Sequence, residues 1–185
     1  MSEIQANKLS PSSGTALQIG DSGDAITIPS GATITNSGTQ TGFGGDNDPM
    51  FSAKHSGSNQ GISTATWTKV TCLSTELYDY DSTYDGNRFT VPSGITNQPF
   101  FISGIIKLDS VDDQKKVELS IRVNGTEVIN TRTWGSADTK HMTASITYSQ
   151  QLSSTDYVEL WVYHNTGSTE SVVEGYFSIH KLIKG

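Results

Sequence analysis

The chain has 185 residues, a formal net charge of -7 and a hydrophobic fraction of only 34%. The charge excludes a non-specific nucleic-acid binder, which needs a basic surface to neutralise phosphates, and gives no attraction to anionic membranes. A single cysteine, Cys72, excludes an intrachain disulfide framework, and no apolar run is long enough for a membrane span or a signal peptide. Synthesis in a cytoplasm is expected, with any work outside the cell reached by lysis or as part of a particle.

Composition divides the chain near Asp48-Pro49, into a thin segment at 1–48 and a head at 49–185. From Leu17 to Thr39 apolar residues come in spaced pairs: Leu17 and Ile19, Ile26 and Ile28, Ala32 and Ile34. Turn clusters separate them, Gly20-Asp21-Ser22-Gly23-Asp24 and Pro29-Ser30-Gly31, so short strands punctuated by turns are predicted. Half a dozen aliphatic side chains supply ~10 kcal/mol of transfer free energy at best. Ordering each residue of the segment costs roughly 1–2 kcal/mol in backbone entropy. Alone, the segment stays disordered; three copies turning their isoleucines inward would share a core. A flexible tail is the alternative, but it has little use for paired isoleucines. Residues 41–49 read as a hinge.

After Pro49 the alternation predicts strands near Met50–His55, Thr66–Leu73, Arg88–Val91, Pro99–Leu108, Lys116–Val123, Thr126–Thr133, His141–Ser149, Asp156–Tyr163 and Ser171–Leu182. The clearest feature is a hairpin. Val117, Leu119, Ile121 and Val123 alternate with polar residues and run into Asn124-Gly125, the preferred type I′ pair. The same residues form an Asn-Gly-Thr glycosylation sequon, and the turn is the stronger reading. Many strands at short spacing without helices imply a sandwich or jelly roll. Trp67, Trp161 and Cys72 fall within predicted strands and are expected in the core.

No nucleophile elbow or phosphate loop occurs, nothing singles out a catalytic carboxylate pair, and neither catalysis nor a cofactor is expected. Asp79, Asp81 and Asp85 share one loop, where calcium is conceivable but a solvated acidic loop is the better reading. A second acidic turn holds Asp109, Asp112 and Asp113, and the four histidines lack metal-ligand spacing. His180, near the end of the last strand, is the one that a trimer axis would gather in three copies. For binding, aromatic residues in turns are the best candidates, because sugars stack CH faces on rings while their hydroxyls bond to nearby polar groups. Trp134 with Arg132 and Asp138 forms one such set, with Trp134 folding back over the sandwich edge as the alternative; Tyr78 and Tyr80 with their aspartates form another.

From Met50 to Gly185 the chain resembles the globular-head domain shared by the complement first component (subcomponent q) and tumour necrosis factor. The resemblance is carried by Phe51-Ser52-Ala53, by Tyr84-Asp85-Gly86-Asn87-Arg88-Phe89-Thr90-Val91-Pro92 and by Phe100-Phe101. It continues through the hairpin into Asp156-Tyr157-Val158-Glu159-Leu160-Trp161-Val162 and Gly175-Tyr176-Phe177-Ser178-Ile179. It implies a trimeric jelly roll in which Tyr84 to Phe89 frames a core strand and the last strand lies close to the trimer interface. The chain departs from the pattern at Ser93–Phe101, and at Thr155, where the family has glycine. The run GDSGDAITIPSGATITNSGT, followed by TGFG, is similar to N-terminal segments of bacteriophage tail-fibre and other virion proteins, especially from marine phages.

The expectation is an all-β protein, a jelly-roll sandwich head with a short N-terminal trimeric β-stalk. As a homotrimeric tail-fibre or receptor-binding protein, it would join a phage tail component through the N-terminal segment and recognise a host-surface glycan. Nucleic acid and membrane insertion are not expected. The competing readings are a virion decoration protein that binds no host, and a tailspike-like depolymerase.

Overall fold

The computed structural model describes residues 9–35, 37, 48–135 and 141–182. The chain divides into two units, Met1–Phe43 and Gly44–Gly185, each described by itself.

In the first unit the expected turns form and the expected strands do not. Asp24 N donates to the Asp21 carbonyl at 3.0 Å and Ala32 N to the Pro29 carbonyl at 3.1 Å. Asp21 N is capped in return by Asp24 Oδ2 at 2.9 Å. The paired aliphatics all stand in solvent, with Ile19 61%, Ile26 62% and Ile34 57% exposed. One chain offers these residues no neighbouring strand, and so little apolar area cannot offset the entropy of ordering them. Of the predicted hinge, only Asp48 and Pro49 are among the described residues.

The second unit is a jelly roll with eleven strands among the described residues: β1 (Met50–Lys54), β2 (Gln60–Ile62), β3 (Thr68–Lys69), β4 (Thr75–Asp79), β5 (Phe89–Thr90), β6 (Gln98–Asp109), β7 (Lys116–Val123), β8 (Thr126–Trp134), β9 (His141–Leu152), β10 (Tyr157–His164) and β11 (Glu170–Lys181). One sheet runs β4-β1-β11-β6-β9 with β2 beside β11; the other runs β3-β10-β7-β8 with β5 beside β10. Neighbouring strands pair antiparallel throughout.

Alternation sets which side chains meet between the sheets. From β6 come Phe100, Ile102, Ile106 and Leu108; from β7 Val117, Leu119 and Ile121; from β10 Val158, Leu160 and Val162, all buried. Burying each side chain contributes about 1.5–3 kcal/mol, so this interior holds the fold together. At one end Phe51 stacks on Tyr84 at 4.3 Å between ring centroids and meets Phe177 edge-on at 5.3 Å. Tyr84 bridges to Phe89, and both are buried, so this stretch does frame the core. Burial also pushes the Tyr84 phenol up from its ordinary value, with the Asp85 charge adding to the effect. The β7–β8 hairpin closes as expected on Asn124 (φ 52°) and Gly125 (φ 78°). The sheets come close at Gly104, where a Cβ would sit 2.7 Å from Leu160 Cδ1 of the opposite sheet. His164 is fully buried, its Nε2 2.8 Å from the Ile62 carbonyl.

Several sequence expectations need correction. Trp67 and Trp161 are half-buried on the outer face of the β3-β10-β7-β8 sheet, outside the core. Trp161 shares its face of β10 with Glu159 and Tyr163, because residues two apart point the same way. The predicted Thr66–Leu73 strand shrinks to β3, though Val70 N still reaches the Leu160 carbonyl at 2.9 Å. Tyr78 lies in a strand, β4, that the prediction missed, and Trp134 closes β8, where a turn was expected. Cys72 is half-buried, and burial pushes its thiol up from the ordinary value.

Candidate functional site

The residues chosen as ligand contacts fall in two separate places. Arg132 and Trp134 lie two apart on β8, so their side chains share the outer face of the five-stranded sheet. The Arg132 guanidinium sits 5.7 Å from the Trp134 ring centroid, and Trp134 is 57% exposed. Arg132 Nε also donates to Glu118 Oε1 at 2.9 Å, which fixes the arginine from behind. Burial alone would raise the Glu118 carboxyl, but hydrogen bonds and charges from Lys116 and Arg132 outweigh it and hold it below the ordinary value. The result is an anchored cation beside an open indole, an arrangement suited to stacking and hydroxyl recognition. Asp138, the third member of the set, lies outside the described residues.

Tyr78 lies on β4 of the other sheet, and Tyr80 follows in the turn after that strand. Their rings stack at 6.1 Å, and Tyr80 is 54% exposed. Two aspartates of the adjoining loop, Asp79 and Asp85, are occupied by the chain itself. Asp79 Oδ1 accepts from Thr83 N at 2.9 Å and from its hydroxyl at 2.6 Å, and Asp79 Oδ2 accepts from Tyr84 N at 3.0 Å. Asp85 Oδ1 accepts from Asn87 N and Arg88 N. Both carboxylates thus organise the β4–β5 loop, whose concavity of about 280 Å³ is lined by residues including Asp81, Tyr84 and Pro92. Among the described residues no group of three or more His, Cys, Asp or Glu is arranged to hold a metal ion.

Another surface is the outer face of the six-stranded sheet, of which the family resemblance indicated only the last strand and not the exposed apolar residues of β6. Along β6 it presents Phe101, Ser103, Ile105 and Lys107, and along β11 His180, Ser178, Tyr176 and Glu174, paired in that order across the ladder. Phe101 is 37% exposed, Ile105 38% and Tyr176 49%. β9 adds Thr143, Ser145, Thr147 and Ser149, all exposed. Lys107 Nζ meets Glu174 at 2.9 Å at one end of this face, and at the other Tyr78 Oη lies 2.7 Å from His180 Nε2. The signal in the sequence is the doublets Phe100-Phe101 and Ile105-Ile106, which put an apolar residue on both faces of one strand.

No protein-family model matches the chain, and no curated protein matches it. Solved structures do. The globular domain of the zebrafish complement 1qA protein superposes with a TM-score of 0.53 at 15% identity, covering 71% of this chain and 95% of its own. The Eiger TNF structure from S. frugiperda gives a TM-score of 0.50 at 12% identity, covering 74% and 95%. At such identities the likeness is one of fold, and function has to be argued from the surfaces.

Proposed function

We propose that the protein is a homotrimeric virion attachment protein of the tail-fibre kind, whose head recognises a host-surface glycan. The observation that carries this reading is the outer face of the six-stranded sheet, where Phe101, Ile105 and Tyr176 stand in solvent in one chain. Apolar area removed from water contributes about 25 cal/mol per Å², and a sheet face with apolar side chains at its centre and hydroxyls along β9 is suited to self-association. The exposed isoleucine pairs of the N-terminal segment support the same assembly, because three copies would give each aliphatic a partner. The likeness of that segment to virion N-termini supports attachment to a tail component. Glycan recognition rests on Trp134 and Arg132, open on the opposite sheet and clear of the proposed assembly face. Three equivalent weak sites on one rigid head gain avidity without a tight single site.

The test is an immobilised glycan panel probed with the labelled full chain and with Trp134→Ala. The reading expects binding to a subset of glycans, at least tenfold weaker for Trp134→Ala, with the glycans left intact. Binding to none of them favours a decoration protein, and release of sugar fragments favours a depolymerase.

A further inference from the structure

Most cations on the outer face of the five-stranded sheet are paired with carboxylates, at the Trp134 site and beyond it. Lys69 Nζ pairs with Glu159 Oε1 at 3.0 Å, and Lys116 and Arg132 both pair with Glu118. Arg122 is the exception. It stands in register between Glu159 on β10 and Glu127 on β8, yet it pairs with neither. Glu159 is turned to Lys69 and to Trp161, whose Nε1 donates to Glu159 Oε2 at 3.0 Å. Glu127 accepts from Ser120 Oγ at 2.9 Å and from Asn130 Nδ2 at 2.6 Å. Among the described residues, Arg122 Nε is buried with no hydrogen-bond partner.

Arg122 contacts aromatic rings instead. Its guanidinium lies 4.1 Å from the Trp161 ring centroid and 5.7 Å from that of Trp67. The Trp161 ring is fixed by its bond to Glu159, which is itself only 6% exposed. Trp67 leans on Tyr163 at 5.5 Å. The side chains around this cation are therefore set before any ligand arrives, which lowers the cost of binding.

We propose that Arg122, with Trp67 and Trp161, forms a subsite for a sugar that carries a carboxylate, such as a uronic acid unit. A guanidinium free of carboxylate partners supplies the planar fork that matches a carboxylate, and the half-buried indoles supply apolar walls for the CH face of the ring. A single cation between aromatic walls fits an acidic sugar better than a polyphosphate, which would call for several cations. The inference shares the glycan reading's ligand class but stands at a separate place on the head, and it requires no trimer.

The experiment uses the full chain with Trp134→Phe, which leaves Trp67 and Trp161 as the only indoles among the three tryptophans. Indole fluorescence is followed while oligogalacturonate, or the same oligomer fully methyl-esterified, is added. The proposal expects a saturable change with the acid, at least tenfold weaker with the ester, and no displacement of the acid by inorganic phosphate at equal ionic strength. In the same background Arg122→Gln removes the preference for acid over ester, and Arg122→Lys keeps part of it. Equal responses to acid and ester overturn the proposal, as does displacement by phosphate or an acid preference unchanged in a folded Arg122→Gln protein. Should Arg122→Gln fail to fold, the acid–ester comparison on the arginine-bearing protein decides alone. Because Trp134 is absent throughout, failure here leaves the Trp134 reading standing, and loss of glycan-panel binding in Trp134→Ala leaves this one standing.

Discussion

Tyr78 Oη lies 2.7 Å from His180 Nε2, tying edge strand β4 to β11 across β1, with the two rings stacked at 6.0 Å between centroids. Burial lowers the His180 imidazole from its ordinary value of 6.5, so the folded protein takes up that proton less readily than the unfolded chain. Stability is then fully present above the unfolded value and declines as pH falls below about 6.5 toward the folded one. Thermal melts at pH 7.5 and 5.5 should show a smaller difference for His180→Gln than for the unaltered protein. An unchanged difference would remove His180 from the pH response.

Thr155 occupies a position built for glycine. Asp156 N donates to the Ser153 carbonyl at 3.0 Å, closing a turn in which Thr155 sits at φ 74°. That region costs an L-residue roughly 1–2 kcal/mol, and Thr is β-branched, which makes the conformation unusual. Glycine returns about 0.5–1 kcal/mol of this as extra unfolded-state entropy. Thr155→Gly should therefore raise stability by up to ~1 kcal/mol in denaturant titrations. A loss of stability would show that the threonine side chain contributes more than its backbone strain costs.

Gly135, next to Trp134, has no room for a side chain. A Cβ there would lie 2.2 Å from the Asp112 carbonyl oxygen and 3.3 Å from Met142 Cε, while Gly135 N donates to the Lys115 carbonyl at 2.7 Å. The neighbour in the way is backbone, so Gly135→Ala must move either the 112–115 turn or the end of β8. The expected cost is about 1–3 kcal/mol, with weaker glycan binding as Trp134 shifts. Full binding together with full stability would mean that the Trp134 position does not depend on this packing.

The parts of the head legible in the sequence are those where alternation and turn chemistry agree. The β7–β8 hairpin is the clearest case, its apolar positions and Asn124-Gly125 both matching the structure. β4 was hidden because Thr75-Glu76-Leu77-Tyr78-Asp79 is an edge strand with little to bury; Leu77 is 51% exposed. Trp161 was misplaced because size was read ahead of register, although Glu159 and Tyr163 two residues to either side mark an outward face. Arg122 could not be singled out at all. Its lack of a carboxylate partner depends on where Glu127 and Glu159 turn, which no spacing records.

Self-association is the central claim, and the mass of the full chain in solution, by light scattering, tests it most directly. The account predicts three times the single-chain 19.9 kDa, falling to one chain with a retained β-sheet spectrum in Ile105→Asp, whose side chain lies on the proposed assembly face. A single-chain mass for the unaltered protein would contradict the account.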